Sequence, residues 1–215
     1  MADFRAVLWD FGGVITASPF EAFAAHEAAR GLPRNFIRTV NATNPDTNAW
    51  ARLERSEIDA DTFDRLFRAE ALALGQDVRG AEVLPLLAGQ VRPRMVAALD
   101  TCKAAGLRIG CITNNVQVGH GAGMAASADQ SLAVQAILAR FDHVIESSKA
   151  GVRKPDPAIY RMMCDALGVM PEACIYLDDL GINCKPAALM GMTAIKVSGE
   201  QQALADLARL TGLPF

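Results

Sequence analysis

The amino-acid sequence predicts a doubly wound α/β fold with a helical insert. Short runs of consecutive apolar residues recur along the chain, and helical patterns separate them. Runs that are apolar on successive residues are typical of parallel strands covered by helices on both faces. Strands that alternate with helices form βαβ units, which build a doubly wound parallel sheet. The runs predicted as strands are AVLW (6–9), LRIGCIT (107–113), HVIES (143–147), ACIYL (173–177) and TAIKV (193–197).

Helical patterns follow most of these runs. RPRMVAALDTCKAAG has Pro93 near its start and Gly106 at its end, and DPAIYRMMCDALG has Pro157 and Gly168 in the same places. Proline is favoured in the first turn of a helix and glycine just past the last, so both segments are predicted as helices. NCKPAALMG and EQQALADLARLTG are two further helical patterns.

Residues 17–92 interrupt this alternation, because they carry several amphipathic helical patterns without a good strand between them. In SEIDADTFDRLFRAEALALG, Asp61 is predicted as the residue that caps the helix. We therefore expect a core domain of residues 1–16 and 93–215, with a helical cap subdomain of residues 17–92 inserted after the first strand.

The composition excludes several functional classes. The 215 residues carry a formal net charge of −3 and no basic run, which gives no reason to expect nucleic acid or an anionic membrane as a partner. No apolar run has the length of a membrane span or of a signal peptide. The five cysteines are scattered and none lies in a CxxC pair, which indicates free thiols and a cytoplasmic location. The apolar cap could support a homodimer.

Polar residues directly follow the predicted strands. Ligands of open α/β sheets bind beyond the carboxyl ends of the strands, so residues at these positions are expected to meet at one edge. They are Asp10 after the first strand, Thr113 and Asn114 after the second, Lys154 in the segment beyond the third, and Asp178 and Asp179 after the fourth.

This set of residues suits phosphoryl chemistry. Carboxylates at close range repel each other unless a cation lies among them, and hard oxygen ligands suit Mg²⁺. A lysine and a threonine hydroxyl suit an incoming phosphate. Asp10 could then attack phosphorus, with Mg²⁺ and Lys154 offsetting the charge on the transferring group. Each residue taken alone could equally be a turn residue or a helix cap.

Four segments taken in order resemble the haloacid dehalogenase-like (HAD) superfamily: VLWDFGGVIT, IGCITNN, VRKPDPAIY and IYLDDLGINCKPAALMGMTAIKV. Within that superfamily, KPDPAIY and LDDLGINCKPA are similar to the phosphatase-type N-terminal domain of soluble epoxide hydrolase. They are also similar to the HAD domain of acyl-CoA dehydrogenase-like fusions. The resemblance implies a Rossmann-like core with an inserted cap.

The resemblance also implies a role for each matching residue. Asp10 matches the family nucleophile, and Lys154 matches the lysine that orients the nucleophile and the phosphate. Thr113 matches the hydroxyl that binds the phosphoryl oxygen, with the Asn114 amide beside it.

A magnesium site is implied in the same way. Asp179 matches the acid that binds the metal directly, and Asp178 matches a second acid near it. Asp10 and the backbone carbonyl of residue 12, here Gly12, complete the family's metal ligands.

Gly12 departs from the pattern of HAD phosphatases, which usually carry an aspartate at this position. That aspartate protonates the leaving group and then activates the hydrolytic water, a contribution typically worth roughly 10²–10⁴ in rate. Gly12 and Gly13 are instead expected to let the chain turn sharply under the ligand. The candidates for a substitute acid are His26, Glu21, Glu27 and His120.

The expected function is therefore Mg²⁺-dependent hydrolysis of a small phosphate ester through an aspartyl-phosphate on Asp10. Two alternatives stay open. A non-catalytic or regulatory phosphate-binding domain would need the same residues without turnover. A 2-haloacid dehalogenase also lacks the aspartate and needs no metal, but adjacent Asp178 and Asp179 would repel the carboxylate of its substrate.

Overall fold

The computed structural model describes residues 3–116 and 127–215. His120, one of the candidates for a substitute acid, lies outside these residues. The described chain forms a parallel five-stranded sheet in the order β3-β2-β1-β4-β5. Its strands are β1 (Ala6–Trp9), β2 (Arg108–Thr113), β3 (His143–Glu146), β4 (Cys174–Asp178) and β5 (Thr193–Lys196).

Eleven α-helices lie in the described residues. Five of them follow β1 in the sequence and form the helical insert: α1 (Pro19–Arg30), α2 (Phe36–Ala42), α3 (Ala49–Glu54), α4 (Ala60–Ala73) and α5 (Gly80–Val83). The others are α6 (Pro93–Ala104), α7 (Ala128–Leu138), α8 (Ser147–Ala150), α9 (Pro157–Leu167), α10 (Gly181–Leu189) and α11 (Glu200–Thr211).

Helices cover both faces of the sheet, which confirms the predicted α/β class. On one face, helices α6, α7 and α11 pack against Val7 and Trp9 of β1. On the other face, α9 and α10 pack against Ala6 and Leu8. Both faces of β1 are therefore buried, which explains why the strand is apolar at every position.

The central strand, β1, ends beside both of its neighbours in the sheet. Trp9, the last residue of β1, pairs with Cys111 of β2 on one side and with Leu177 of β4 on the other. The carboxyl ends of these three strands therefore lie beside one another. The residues that follow them are brought to a common edge, although they are far apart in sequence.

Helices α1 to α5 enclose a hydrophobic cluster of their own. Trp50 of α3 and Phe63 of α4 contribute to it, with 5.7 Å between their ring centroids. Asp59 caps α4, because its side chain accepts a hydrogen bond from the backbone N–H of Thr62. The prediction that Asp61 fills this position is wrong; Asp61 lies within the first turn.

The chain enters and leaves this helical insert through two paired segments. The N–H of Ala17 donates to the carbonyl of Gln90 at 2.7 Å, and the N–H of Arg92 donates to the carbonyl of Ile15 at 2.9 Å. Thr16 and Val91 form an antiparallel bridge between these bonds. The insert is thus tied to the end of the loop that follows β1 and begins at Asp10.

No helix in the described ranges combines the length and the apolar character that a membrane span requires. All five cysteines are free and buried.

Candidate active site

Asp10 lies immediately beyond β1 and is 7% exposed. Its Oδ1 accepts a hydrogen bond from the backbone N–H of Phe11 at 2.7 Å and contacts Nζ of Lys154 at 2.8 Å. No hydrogen bond from any described residue reaches its Oδ2. One carboxylate oxygen is thus fixed in place, and the other is available to a ligand.

Lys154 is 1% exposed, and its ammonium bridges two carboxylates. Nζ lies 2.8 Å from Oδ1 of Asp10 and 2.8 Å from Oδ2 of Asp178. Burial lowers the pKa of Lys154, but the charges and hydrogen bonds of the two aspartates outweigh burial and raise the pKa overall. The side chain therefore remains a cation inside the protein.

Asp178 is the last residue of β4 and is completely buried, rather than following the strand as predicted. Its carboxylate accepts hydrogen bonds from the Tyr176 hydroxyl, from the Leu180 N–H at 2.8 Å and from Nδ2 of Asn183 at 3.1 Å. With Lys154, four donors surround it. Such a set of donors fixes the orientation of the carboxylate.

Asp179 lies next to this group, and its Oδ2 accepts a hydrogen bond from the Ser18 hydroxyl at 2.9 Å. Burial, followed by the charge of Asp178, raises the pKa of Asp179. Burial likewise raises the pKa of Asp10, opposed by Lys154. Oxygen atoms of Asp10, Asp178 and Asp179 lie within 4.8 Å of one another.

Among the described residues, the three carboxylates of this cluster are accompanied by one buried ammonium, that of Lys154. Negatively charged groups therefore outnumber positively charged groups at the site. A cluster of carboxylate oxygens is the kind of hard ligand set that binds a divalent cation such as Mg²⁺. A bound cation would relieve the repulsion between the acids and would lower the pKa values that burial raises.

The turn after Asp10 requires glycine at one position only. Gly13 has φ of 76°, and a Cβ atom there would lie 2.2 Å from Oδ2 of Asp179. Gly12 has φ of −67° and ψ of 133°, and a Cβ atom there would meet no atom within 4 Å. The expectation that both glycines are needed for the turn is therefore wrong for Gly12, where the backbone accepts any side chain.

Thr113 is the last residue of β2, and Asn114 follows it directly. The hydroxyl of Thr113 makes no hydrogen bond within the described part of the chain, so it is free to meet a ligand. The side chain of Asn114 is occupied, since Oδ1 accepts from the N–H of Lys154 at 2.8 Å and Nδ2 donates to the carbonyl of Lys154 at 3.0 Å. This leaves the backbone N–H of Asn114 as the group that could contact a substrate.

The candidates for a substitute acid in the insert lie in other environments. Glu27 accepts two backbone N–H bonds at the start of α2, at 2.8 and 2.9 Å. Nε2 of His26 lies 3.6 Å from Oε2 of Glu82, within the insert. Glu21 is exposed on α1. None of these contacts reaches Asp10.

Three residues that contact the site were not predicted: Ser18, Tyr176 and Glu54. Tyr176 could have been found, because residues two apart in a strand share a face and Asp178 follows it at that spacing. Ser18 and Glu54 belong to the insert side of the site, and no pattern in the sequence places them there. The hydrogen bond between Asn183 and Asp178 likewise gives Asn183 a structural role.

A parallel sheet with an acid, a lysine and paired aspartates at its strand ends is typical of an α/β enzyme, whose ligands bind beyond the carboxyl ends of the strands. A family model for haloacid dehalogenase-like hydrolases matches residues 4–191. The chain belongs to the family of haloacid dehalogenase-like hydrolases.

Curated relatives support this assignment. The chain is 31% identical over 217 residues to mouse acyl-CoA dehydrogenase family member 10, covering 99% of this chain and 20% of the relative. It is 29% identical to mouse bifunctional epoxide hydrolase 2, covering 98% of this chain and 39% of the relative. The chain thus spans two fifths or less of these two relatives. Phosphatase MT3486 of Mycobacterium tuberculosis is 28% identical, with 95% of this chain and 92% of the relative covered.

Solved structures show the same fold. A dehalogenase crystal structure has a TM-score of 0.63 at 16% identity, covering 98% of both chains. A HAD family enzyme from Bacteroides thetaiotaomicron, in complex with magnesium and inorganic phosphate, has a TM-score of 0.56 at 15% identity, covering 92% of this chain and 96% of that one.

Proposed function

We propose that the protein hydrolyses a small phosphate ester, with Mg²⁺, through an aspartyl-phosphate on Asp10. The observation that carries this proposal is the arrangement around Lys154. Its Nζ lies 2.8 Å from Oδ1 of Asp10 and from Oδ2 of Asp178, while Oδ2 of Asp10 receives no hydrogen bond from the described residues. The similarity to a phosphatase over most of both chains supports the same activity.

The first step is a displacement at phosphorus. Oδ2 of Asp10 forms a bond to the phosphorus atom, and the bond between phosphorus and the ester oxygen breaks. Lys154 fixes Asp10 through Oδ1 and offsets negative charge on the phosphoryl group. The Thr113 hydroxyl and the backbone N–H of Asn114 donate hydrogen bonds to phosphoryl oxygens.

The second step regenerates the carboxylate. Water attacks the aspartyl-phosphate, inorganic phosphate leaves, and Asp10 returns to its ionised form. Gly12 offers no side chain to protonate the leaving group or to activate this water. We therefore expect slow turnover and a preference for esters whose leaving group needs no proton.

The residues fit a magnesium ion at the carboxylate cluster. Asp10, Asp179 and the carbonyl of Gly12 would hold the ion. Asp178 would lie near the ion without binding it directly, because four donors already form hydrogen bonds to its carboxylate. When bound, the ion supplies positive charge against the phosphoryl oxygens.

The helical insert, residues 17–92, acts as a cap in this proposal. Ser18 contacts Asp179 at one side of the site, and Glu54 contacts Asn114 at the other, 3.3 Å from Nδ2. An insert held at both sides would exclude water from the reacting groups and restrict the size of the substrate.

The test is a panel of phosphate monoesters assayed with Mg²⁺ for the wild type, Asp10→Asn and Asp165→Asn. Asp165 is exposed on α9 and serves as the matched control. We expect Asp10→Asn to lose activity by roughly 10³-fold or more, as removal of a nucleophile does, and Asp165→Asn to keep it. Equal activity in all three proteins contradicts the proposal.

Two outcomes would identify the alternatives. Release of halide from 2-haloacids in the presence of EDTA indicates a dehalogenase. Binding of inorganic phosphate without turnover of any ester, even at high protein concentration, indicates a phosphate-binding domain.

A further inference from the structure

Glu54 is a buried carboxylate that the helical insert contributes to the core. It is the last residue of α3 and is 7% exposed, although glutamate is rarely buried unless it is paired. Its Oε1 accepts a hydrogen bond from Nε1 of Trp50 at 2.9 Å. Its Oε2 accepts from Nδ2 of Asn114 at 3.3 Å and from Nε of Arg153. Two of its three donors therefore belong to the sheet domain.

The contact with Asn114 determines how that amide is oriented. Nδ2 of Asn114 donates to both Glu54 and the carbonyl of Lys154, and Oδ1 accepts from the N–H of Lys154. A rotated amide would place its oxygen against two acceptors and its NH₂ group against a donor. Glu54 thus stabilises the one orientation in which Asn114 forms two hydrogen bonds with the Lys154 backbone.

The backbone of Lys154 in turn sets the position of its ammonium. Nζ lies 2.8 Å from both Asp10 and Asp178, so a small shift of the backbone would change both distances. Arg153, the preceding residue, is held by Glu54 and donates from Nη1 to the carbonyl of Pro45 at 3.0 Å. The insert therefore supports the lysine segment at two consecutive residues.

The same part of the insert is attached to the start of α8. The Ser147 hydroxyl donates to the carbonyl of Glu54 at 2.8 Å, and the Ser56 hydroxyl donates to the carbonyl of Ser148 at 2.9 Å. Movement of α3 away from the core would break these bonds together with those to Asn114 and Arg153. Docking of the insert and placement of the lysine segment are consequently parts of one hydrogen-bond network.

We infer that Glu54 is a positioning residue, which makes the geometry of Lys154 depend on docking of the insert. This inference rests on the proposed function, in which Lys154 fixes Asp10 and offsets negative charge on the phosphoryl group. Glu54 acts through Asn114 and has no contact with the substrate. An insert moved away from the core would leave the lysine segment without these bonds, so full catalytic geometry depends on the docked insert.

Glu54→Gln is the most informative substitution, since it keeps the size of the side chain. The new amide can still accept from Trp50, but its NH₂ group then faces the donors of Asn114 and Arg153. Ser56→Gly is the matched control, because it removes a hydrogen bond between insert and core in which neither Glu54 nor Asn114 takes part. Glycine also suits this position, where φ is 57°.

We expect Glu54→Gln to lower kcat by roughly 10- to 100-fold, as displacement of a catalytic group does, with KM within about twofold of the wild type. Ser56→Gly should leave kcat within about twofold. Because Glu54 acts through Asn114 as well as through Arg153, adding Glu54→Gln to Asn114→Ala should lower kcat by less than Glu54→Gln does in the wild type. An unchanged kcat in Glu54→Gln, or additive effects in the double variant, would overturn the inference.

A crystal structure of Glu54→Gln gives a readout that needs no turnover. We expect at least one hydrogen bond between the Asn114 side chain and the Lys154 backbone to be lost, and an unchanged pair of bonds would overturn the inference. A wild type without phosphatase activity would contradict the proposed function alone, and the crystal structure would still decide the role of Glu54.

Discussion

Buried carboxylates occur in two contrasting environments in this protein. Glu27 of the helical insert is 3% exposed, and its two oxygens accept the backbone N–H groups of Asn35 and Ile37 at 2.8 and 2.9 Å. At the edge of the sheet, Asp10, Asp178 and Asp179 surround one ammonium, and one oxygen of Asp10 has no donor among the described residues.

The difference separates a structural acid from a functional one. Each carboxylate oxygen of Glu27 accepts one hydrogen bond from a backbone N–H group at the start of α2, where such groups have no partner within the helix. Glu27 therefore has a structural role within the insert. The sheet-edge cluster has more negative charge than its own residues neutralise. Excess charge is costly in a buried site, and it is retained where a ligand supplies the missing cation.

Lys154→Met should have the largest effect, because it removes the only ammonium that the described residues place within the carboxylate cluster. Unpairing buried carboxylates typically costs about 3–5 kcal/mol, and phosphatase activity should fall by roughly 10³-fold. Chemical denaturation and ester hydrolysis provide the measurements, with exposed Lys185→Met as the control. Activity and stability equal to those of the control would contradict the assigned role of Lys154.

Gly12→Asp should raise turnover, because the backbone there suits any residue and the added Cβ meets no atom within 4 Å. A proton donor at this position is worth roughly 10²-fold or more with esters of poor leaving groups. Gly13→Ala is the contrasting variant and should lose activity, since its Cβ would overlap the carboxylate of Asp179. Steady-state kinetics would show no gain in Gly12→Asp if another group already transfers the proton.

Glu27→Gln should have the smallest effect on activity and a clear effect on stability. The amide keeps one acceptor and turns a donor toward a backbone N–H, which costs about 1–3 kcal/mol. We expect a lower free energy of unfolding and a kcat close to that of the wild type. Glu21→Gln, exposed on the same helix, provides the control; a kcat lowered tenfold or more in Glu27→Gln would contradict a purely structural role.

The strands were predictable because burial on both faces leaves a direct signal in the sequence. AVLW at 6–9 is β1 to the residue, and the other four predicted runs agree with the observed strands to within one residue at each end. The order of strand-end residues also placed Asp10, Lys154 and Asp179 correctly at one edge, since parallel strands end at the same side of the sheet.

Other features left no such signal. Helix α7 was not predicted, because its sequence, ADQSLAVQAIL, shows no marked apolar stripe. Asp61 was predicted as the cap of α4, and only the backbone showed that Asp59 fills this position. Contacts such as those of Ser18 and Glu54 depend on how the insert docks against the core, which hydrophobic periodicity does not report.

Calorimetric titration of the protein with Mg²⁺ tests the central claim most directly, namely that the sheet-edge carboxylates bind a divalent cation. We predict one ion per chain for the wild type and for Glu27→Gln, and affinity at least about tenfold weaker for Asp179→Asn. Burial raises the pKa values of Asp10 and Asp179, so protons compete with the ion and the affinity should fall as the pH is lowered. A wild type that binds no Mg²⁺, or an Asp179→Asn variant that binds it equally well, would contradict this account.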